Sequence, residues 1–530
     1  MAIHLVWYRN DLRTNDHRPL SGAVDSARRQ DGDGVLPVYI VDPSWFGRTS
    51  FGFDRVGPHR LKFLRQCLAD LQDRIAALGG RMAVVPGRTV ATLTELMRDL
   101  PVASLHLTEE VSPQEMVLQR RVVRAAEAAG VSVHIAPPAM LMPPESLPFE
   151  IKDTPEVFSK YRRIVEKDAD HGVPIDAPER IPAIVPEHWS RVGDKPIEQI
   201  EALRGDEMPR DDRAAIEMTG GETAGLRRLE QYVWQTDSIA TYKQTRNGMI
   251  GPDYSSKFSA WLAHGCLSAR QIAAEVHRYE SERTKNDSTY WMIFELLWRD
   301  YFALMTAKHG GRMFQVTGLR GEDLPWTEDA DRFEAWTDGR TGFPLIDANM
   351  RELKLTGFMS NRGRQNVGSF LTKNLGINWL MGAEWFEKYL IDYDSCSNYG
   401  NWNYVAGVGN DARGFRFFNT IKQSRDYDPD GDYVRLWCPE LQDVPTKFVH
   451  EPWKMQTAQQ KRSSCIIGVD YPAPVVDLMK SADHNRQLYE QSVGHDPDDR
   501  SGGGKSGGRS GRHRGGGGHG GKRNRSRRRR

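Results

Sequence analysis

The chain of 530 residues has no apolar run long enough to span a bilayer, which argues against a membrane-spanning helix. Cysteine is scarce. The five cysteines, Cys67, Cys266, Cys396, Cys438 and Cys465, include no CxxC pair, so neither a disulfide framework nor a cysteine zinc site is expected and no metal is assigned. The start, Met1-Ala2-Ile3-His4-Leu5-Val6-Trp7, lacks the basic and apolar regions of a targeting peptide and reads directly as a strand. A soluble intracellular protein of cytoplasm or nucleus, acting as a monomer, is the expectation. Acid is missing from one place: residues 501–530 hold eleven Lys/Arg and no Asp or Glu. The formal net charge of +1 therefore conceals a body with 61 basic against 71 acidic residues, a charge of −10. Such a field repels phosphates, so nucleic-acid affinity in the body requires a local basic patch. The same last thirty residues carry twelve Gly and no aliphatic or aromatic side chain. With nothing to bury they are expected to be disordered when free, and to offer RNA or DNA a separate contact.

What is present is order of two kinds. Residues 1–136 alternate short apolar runs (Ile3–Tyr8, 35–41, 81–85, 104–108 and 131–135) with helical patterns at 58–78 and 113–129. Each of those helical patterns opens on a proline, which suits a first helical turn. This predicts a doubly wound, Rossmann-like α/β domain with a parallel sheet. Residues 137–215, rich in Pro and charge, read as an interdomain connector. Residues 216–490 show helical spacing at 224–234, 257–264, 269–280, 289–308, 344–357 and 383–391, predicting an all-α domain, and 491–530 form the basic tail.

Several clusters carry chemistry. In Tyr290-Trp291-Met292-Ile293-Phe294-Glu295-Leu296-Leu297-Trp298-Arg299-Asp300, the residues Glu295, Trp298 and Arg299 share one helix face and suit a pocket for a planar, hydrogen-bonding ligand. Spacing alone favours a plainer reading, a buried Glu–Arg pair beside a core Trp. The run from Asp392 to Tyr404, dense in Asn, Gly, Asp and aromatics, is expected to be a loop. Tyr242-Lys243-Gln244-Thr245-Arg246-Asn247-Gly248 and Ser255-Ser256-Lys257-Phe258-Ser259 lead into a helix start with the hydroxyls and cation that a phosphate needs, though an ordinary N-cap reads the same way. Asn361-Arg362-Gly363-Arg364-Gln365-Asn366 and Arg413-Gly414-Phe415-Arg416-Phe417-Phe418-Asn419 are candidates for a phosphate-tracking patch, with a solvated charged face as the alternative.

Together with the opening Trp7-Tyr8-Arg9-Asn10-Asp11-Leu12-Arg13, these motifs resemble the photolyase/cryptochrome family. Phe51-Gly52-Phe53, Thr245-Arg246-Asn247-Gly248, Trp261-Leu262-Ala263-His264-Gly265-Cys266 and Asn398-Tyr399-Gly400-Asn401-Trp402-Asn403-Tyr404 are similar to its DASH branch. The resemblance implies FAD in the helical domain, with Tyr242, Ser255, Ser256, Lys257 and Ser259 at its phosphates and ribityl chain. It further implies Arg364, Asp392, Asp394 and Asn398 near the ring system, and Glu295 and Arg299 on the same pocket. Glu295, Trp298 and Asn361 match positions that hold a cyclobutane pyrimidine dimer, with Arg362, Gln365, Asn403 and Tyr404 toward DNA. Trp326, Trp379 and Trp402 match an electron-transfer chain, and Glu110 is a candidate ligand of a methenyltetrahydrofolate antenna, a solvated Glu being the alternative. Gln365 stands where a Met is usual and Tyr404 where a Trp is usual, from which a preference for single-stranded DNA is expected. The implied activity is blue-light dimer repair. A photoreceptor signalling through a partner, and a nucleic-acid scaffold working through its tail, are the other readings.

Overall fold

In the computed structural model, which describes residues 1–205, 208–410 and 414–493, strands β1 (Ile3–Tyr8), β2 (Gly34–Val41), β3 (Ala83–Pro86), β4 (Val102–Thr108) and β5 (Ser132–Ala136) form one sheet. Their order is β3-β2-β1-β4-β5 and every pair is parallel. Side chains alternate across a strand. Val6 and Tyr8 of β1 pack with helices α1 (Arg18–Ala27) and α2 (Pro58–Ala77), whereas Ile3, Leu5 and Trp7 pack with α3 (Thr89–Asp99) and α4 (Pro113–Ala128). A strand covered on both faces needs an unbroken run of side chains that tolerate burial, and all six residues of β1 are buried. Helices α1 and α3 are additional to the sequence expectation. The basic tail falls largely within 494–530 and Arg413 within 411–413, outside the described residues.

The stretch expected to be a plain connector contains α5 (Phe158–Asp168). Phe158, Tyr161 and Val165 are its buried stripe, and the Phe158 ring stacks at 3.7 Å on Trp298. Beyond it come α6 (Glu222–Glu230), α7 (Ser259–Ala263), α8 (Ala269–Glu282), α9 (Asp287–His309), α10 (Pro344–Thr356), α11 (Asn361–Ser369), α12 (Trp379–Tyr389) and α13 (Ser395–Ala406). The helix expected over 257–264 shortens to α7 because Lys257 adopts φ 58°, a left-handed conformation that a helix cannot include. Helix α9 begins at a reciprocal cap between Asn286 and Thr289.

The predicted loop at 392–404 is a correction: most of it is α13. Asp394 caps the helix by accepting the Ser397 N–H at 2.7 Å, and Gly407 ends it at φ 82°. The amides of Asn401 and Asn403 donate back to the carbonyls of Ser397 and Tyr399, both at 2.8 Å. Gly400 is there for contact rather than turning. A Cβ on it would lie 2.2 Å from the Phe302 ring of α9, so any side chain would push the two helices apart.

The two halves are locked by the loop after β1. Leu12 donates to the His264 carbonyl at 3.1 Å, Arg13 to that of Gly265 at 2.9 Å, and Asp16 pairs with Arg270 at 2.8 Å. Fully buried Glu222 accepts from the backbone and side chains of Thr14 and Asn15 and pairs with Arg74 at 2.6 Å. A Cβ on Gly265, at φ 66°, would lie 2.0 Å from the Asn10 carbonyl, so only glycine allows this approach. No described helix is long and apolar enough to cross a membrane.

Candidate functional site

Helices α7, α9, α11, α12 and α13 enclose a cavity of about 300 Å³. One end gathers hydroxyls and a cation. Ser255, Ser256, Lys257 and Ser259 line it together with Tyr242. The Lys257 ammonium donates to the Pro252 carbonyl at 2.8 Å and stands 3.5 Å from the centre of the Tyr254 ring. Burial, reinforced by nearby Arg228, lowers the Lys257 pKa to about 7.

The other end gathers a charge pair and an amide. Arg364 donates to both oxygens of buried Asp392, at 2.8 and 3.0 Å, and to the Met359 carbonyl. Asp394 lines the same end while capping α13. Asn398 donates its amide to the Ala383 carbonyl at 3.0 Å, and its amide oxygen accepts from no described residue. Between the ends, Met292, Leu296, Phe358, Phe386, Leu390 and Trp402 supply apolar wall. The arrangement suits a long ligand with an anionic middle and a planar, hydrogen-bonding head.

Glu295 and Arg299 belong to this cavity and also to a second, of about 380 Å³, that shares part of its wall. The second is lined by Trp298, Tyr404, Arg416 and Phe418 as well, and shares Asn361 and Gln365 with the first. The plain Glu–Arg reading of α9 is replaced by a different pairing. Glu295 pairs with Arg246 at 2.7 Å and accepts from the Trp291 indole at 3.1 Å, through the same oxygen, while Arg299 donates to the Ala139 carbonyl at 2.9 Å. Burial raises the Glu295 pKa against the pull of Arg246. Trp298 is backed by Phe158 and meets Tyr404 edge-on at 5.7 Å.

Arg362 lies beside these walls rather than in them, held to Gln365 and Asn247 at 2.9 Å each. Asn403 is a correction. Expected to face DNA, it is 0% exposed, donates to the carbonyls of Met313 and Tyr399, and accepts the Leu319 N–H. Both N–H donors of its amide and its oxygen are engaged by the fold. Arg246 is a further residue of the site, and its link to Glu295 spans a chain separation that local patterning does not read.

A third cavity, of about 450 Å³, lies where the sheet meets the helices. Arg9 and Asn10 follow β1, and Glu109 and Glu110 follow β4, all at carboxyl ends of adjacent strands. The chain winds outward from β1 through β2 to β3 and then returns to β4, so this crevice is the sheet's topological switch point, where α/β folds bind ligands. Asn10 donates to Glu110 at 3.1 Å, and burial raises the Glu110 pKa to about 7.

The three tryptophans differ in exposure. Trp402 forms its wall, Trp379 is fully buried with its indole donating to the Val316 carbonyl, and Trp326 is half-buried.

Residues 4–182 match a family described as DNA photolyase, and residues 291–491 one described as the FAD binding domain of DNA photolyase. The chain is 53% identical over 491 residues to a protein of Gloeobacter violaceus named cryptochrome DASH, covering 93% of this chain and 96% of that one. It is 43% identical to a cryptochrome DASH of Xenopus laevis, covering 90% of each. The crystal structure of a Synechocystis cryptochrome superposes with a TM-score of 0.87 at 45% identity, covering 92% of this chain and 99% of that one. A bacterial class III photolyase from Agrobacterium tumefaciens gives 0.81 at 28% identity, covering 93% and 98%.

Proposed function

The chain belongs to the photolyase/cryptochrome family, and on that premise we propose that it repairs cyclobutane pyrimidine dimers under blue light, preferring single-stranded DNA, with FAD in the first cavity. The observation that carries this reading is the junction of two cavities across Glu295, Asn361 and Gln365. A ligand in the first and a base in the second would be held on either side of these shared residues.

The residues fit FAD. Ser255, Ser256, Ser259, Tyr242 and Lys257 would hold the phosphates and ribityl chain, and Arg364, Asp392, Asp394 and Asn398 the ring. Reduced FAD, when bound, supplies the light-driven electron that splits the dimer. Glu295 and Trp298 bind and orient the dimer, the first through its unengaged carboxyl oxygen and the second by ring packing. Asn361, Gln365 and Tyr404 complete the wall, and Arg362 steadies Gln365 from behind. The crevice at Glu110 is the proposed seat of a methenyltetrahydrofolate antenna. The eleven Lys/Arg of 501–530 supply general affinity for nucleic-acid phosphate.

Strand preference follows from the cavity wall. Extruding a dimer from a duplex costs a few kcal/mol of pairing and stacking, which contacts in the pocket must offset. Gln365 and Tyr404 place polar groups where apolar packing would contribute that energy. Under blue light the chain is expected to repair a dimer in a single strand at least about tenfold faster than in a duplex. Equal rates would refute the preference, and no repair of either would refute the activity.

Lys257 gives a second expectation. With a pKa near 7 in the free cavity, its ammonium is partly deprotonated at neutral pH, and bound phosphate anions favour the charged form. Binding therefore takes up a proton above pH 7, and FAD affinity is expected to fall by up to about tenfold per pH unit as pH rises from 7 toward 9. Titration of the flavin-stripped full-length chain at several pH values measures this. Lys257→Met should flatten the profile.

A further inference from the structure

A buried cation holds the serine loop of the first cavity from behind. Arg228 of α6 is 5% exposed and does not line the cavity. Its Nε donates to the Ser256 carbonyl at 3.1 Å, and its Nη2 to the carbonyls of Pro252 at 3.0 Å and Ser255 at 3.2 Å. Its Nη1 donates to Asp253 at 2.9 Å, and the guanidinium stands over the Tyr232 ring. A planar trans peptide points its N–H opposite to its carbonyl. The described chain has no cis bond, so turning the carbonyls of Ser255 and Ser256 onto Arg228 directs the N–H groups of Ser256 and Lys257 away from it. No described residue accepts either N–H. Successive free N–H groups of this kind form a concavity for an anion, here beside the serine hydroxyls that line the cavity.

We propose that Arg228 is a positioning residue for the phosphates of the cofactor: it fixes the peptide planes from Ser255 to Lys257 so that their N–H groups and hydroxyls meet the anion, without touching it. This rests on the assignment of FAD to the cavity. It does not rest on repair, so a holoprotein that behaves as described below yet repairs no dimer would sink the activity alone.

The test uses full-length holoprotein. Arg228→Met is expected to release FAD about 10- to 100-fold faster on dilution, as the loss of charge-assisted hydrogen bonds implies. Phosphorus NMR of the FAD that remains bound should shift from the wild-type positions, while the visible absorption of the ring keeps its shape. Arg228→Lys keeps the charge but not the fork and should recover part of the retention. Should Arg228→Met fail to fold, Asp253→Asn, which frees one arm of the guanidinium, is expected to speed release in the same direction by a smaller factor. Release at the wild-type rate, or faster release with an altered ring spectrum and unmoved phosphorus signals, would overturn the proposal.

Discussion

Glu295→Ala is expected to cut blue-light repair of a single-stranded dimer by about 100- to 1,000-fold while the purified variant stays yellow, the size of loss seen when one group that stabilises developing charge is removed. One Glu295 oxygen is taken by Arg246 and Trp291, and the other accepts from no described residue on a residue that borders both cavities. Removing the carboxyl strips the dimer of a hydrogen bond and leaves Arg246 and the Trp291 indole without the oxygen they share. FAD should remain, because the anion end of its cavity lies on α7 and the loop before it.

The same side chain sets a pH dependence. Burial raises the Glu295 pKa, so the carboxyl keeps its proton to higher pH than an exposed one. A protonated carboxyl donates to a dimer carbonyl, whereas the anion does not. Repair is therefore expected to be full below the raised pKa and to decline as pH rises through it. Glu295→Gln retains an N–H donor and should show a flatter profile with about a tenfold lower rate. A wild-type rate in Glu295→Ala would remove this residue from the mechanism.

Much of this architecture was legible because burial on two faces leaves a plain trace. The runs at Ile3–Tyr8 and 104–108 could be read as strands of a parallel sheet because short runs alternate with helical patterns, and α2 and α4 from their spacing and leading prolines. Helix α13 was illegible for a reason specific to it. Its Asn and Gly residues ordinarily mark turns, but here Asn403 saturates a tertiary junction and Gly400 admits Phe302, and neither partner is near in sequence. Residues lining the first cavity were found through resemblance, since hydroxyls before a helix say little by themselves. Arg246 and Arg228 are illegible for a related reason. Their partners, Glu295 and the carbonyls of 252–256, meet them only once the chain has folded, and an arginine on a helix otherwise reads as solvated surface.

Trp402→Phe is expected to abolish light-driven reduction of oxidised flavin in the presence of an external thiol while leaving FAD bound. Trp402 is 3% exposed and forms cavity wall, so phenylalanine preserves the apolar surface there while removing the more readily oxidised indole. The proposed route outward passes through helix α12. A Cβ on Gly382 would lie 2.3 Å from the Trp402 ring, so α12 touches the indole at that point. Trp379 stands three residues earlier on the same helix, hence on the same face. Trp326 joins through its neighbour Thr327, whose carbonyl accepts the Asn378 N–H at 2.9 Å beside Trp379. Burial falls only at the last member, which is half-buried and can exchange with a reductant in solvent. Trp326→Phe, far from the cavity wall, should therefore produce the same loss without any change in the flavin spectrum. Repair by chemically reduced protein should survive both substitutions, because the dimer is served from the Glu295 side. Unchanged photoreduction in Trp402→Phe would make the three indoles packing elements only, and loss of repair in the reduced variant would mean that Trp402 shapes the cavity as well as conducting from it.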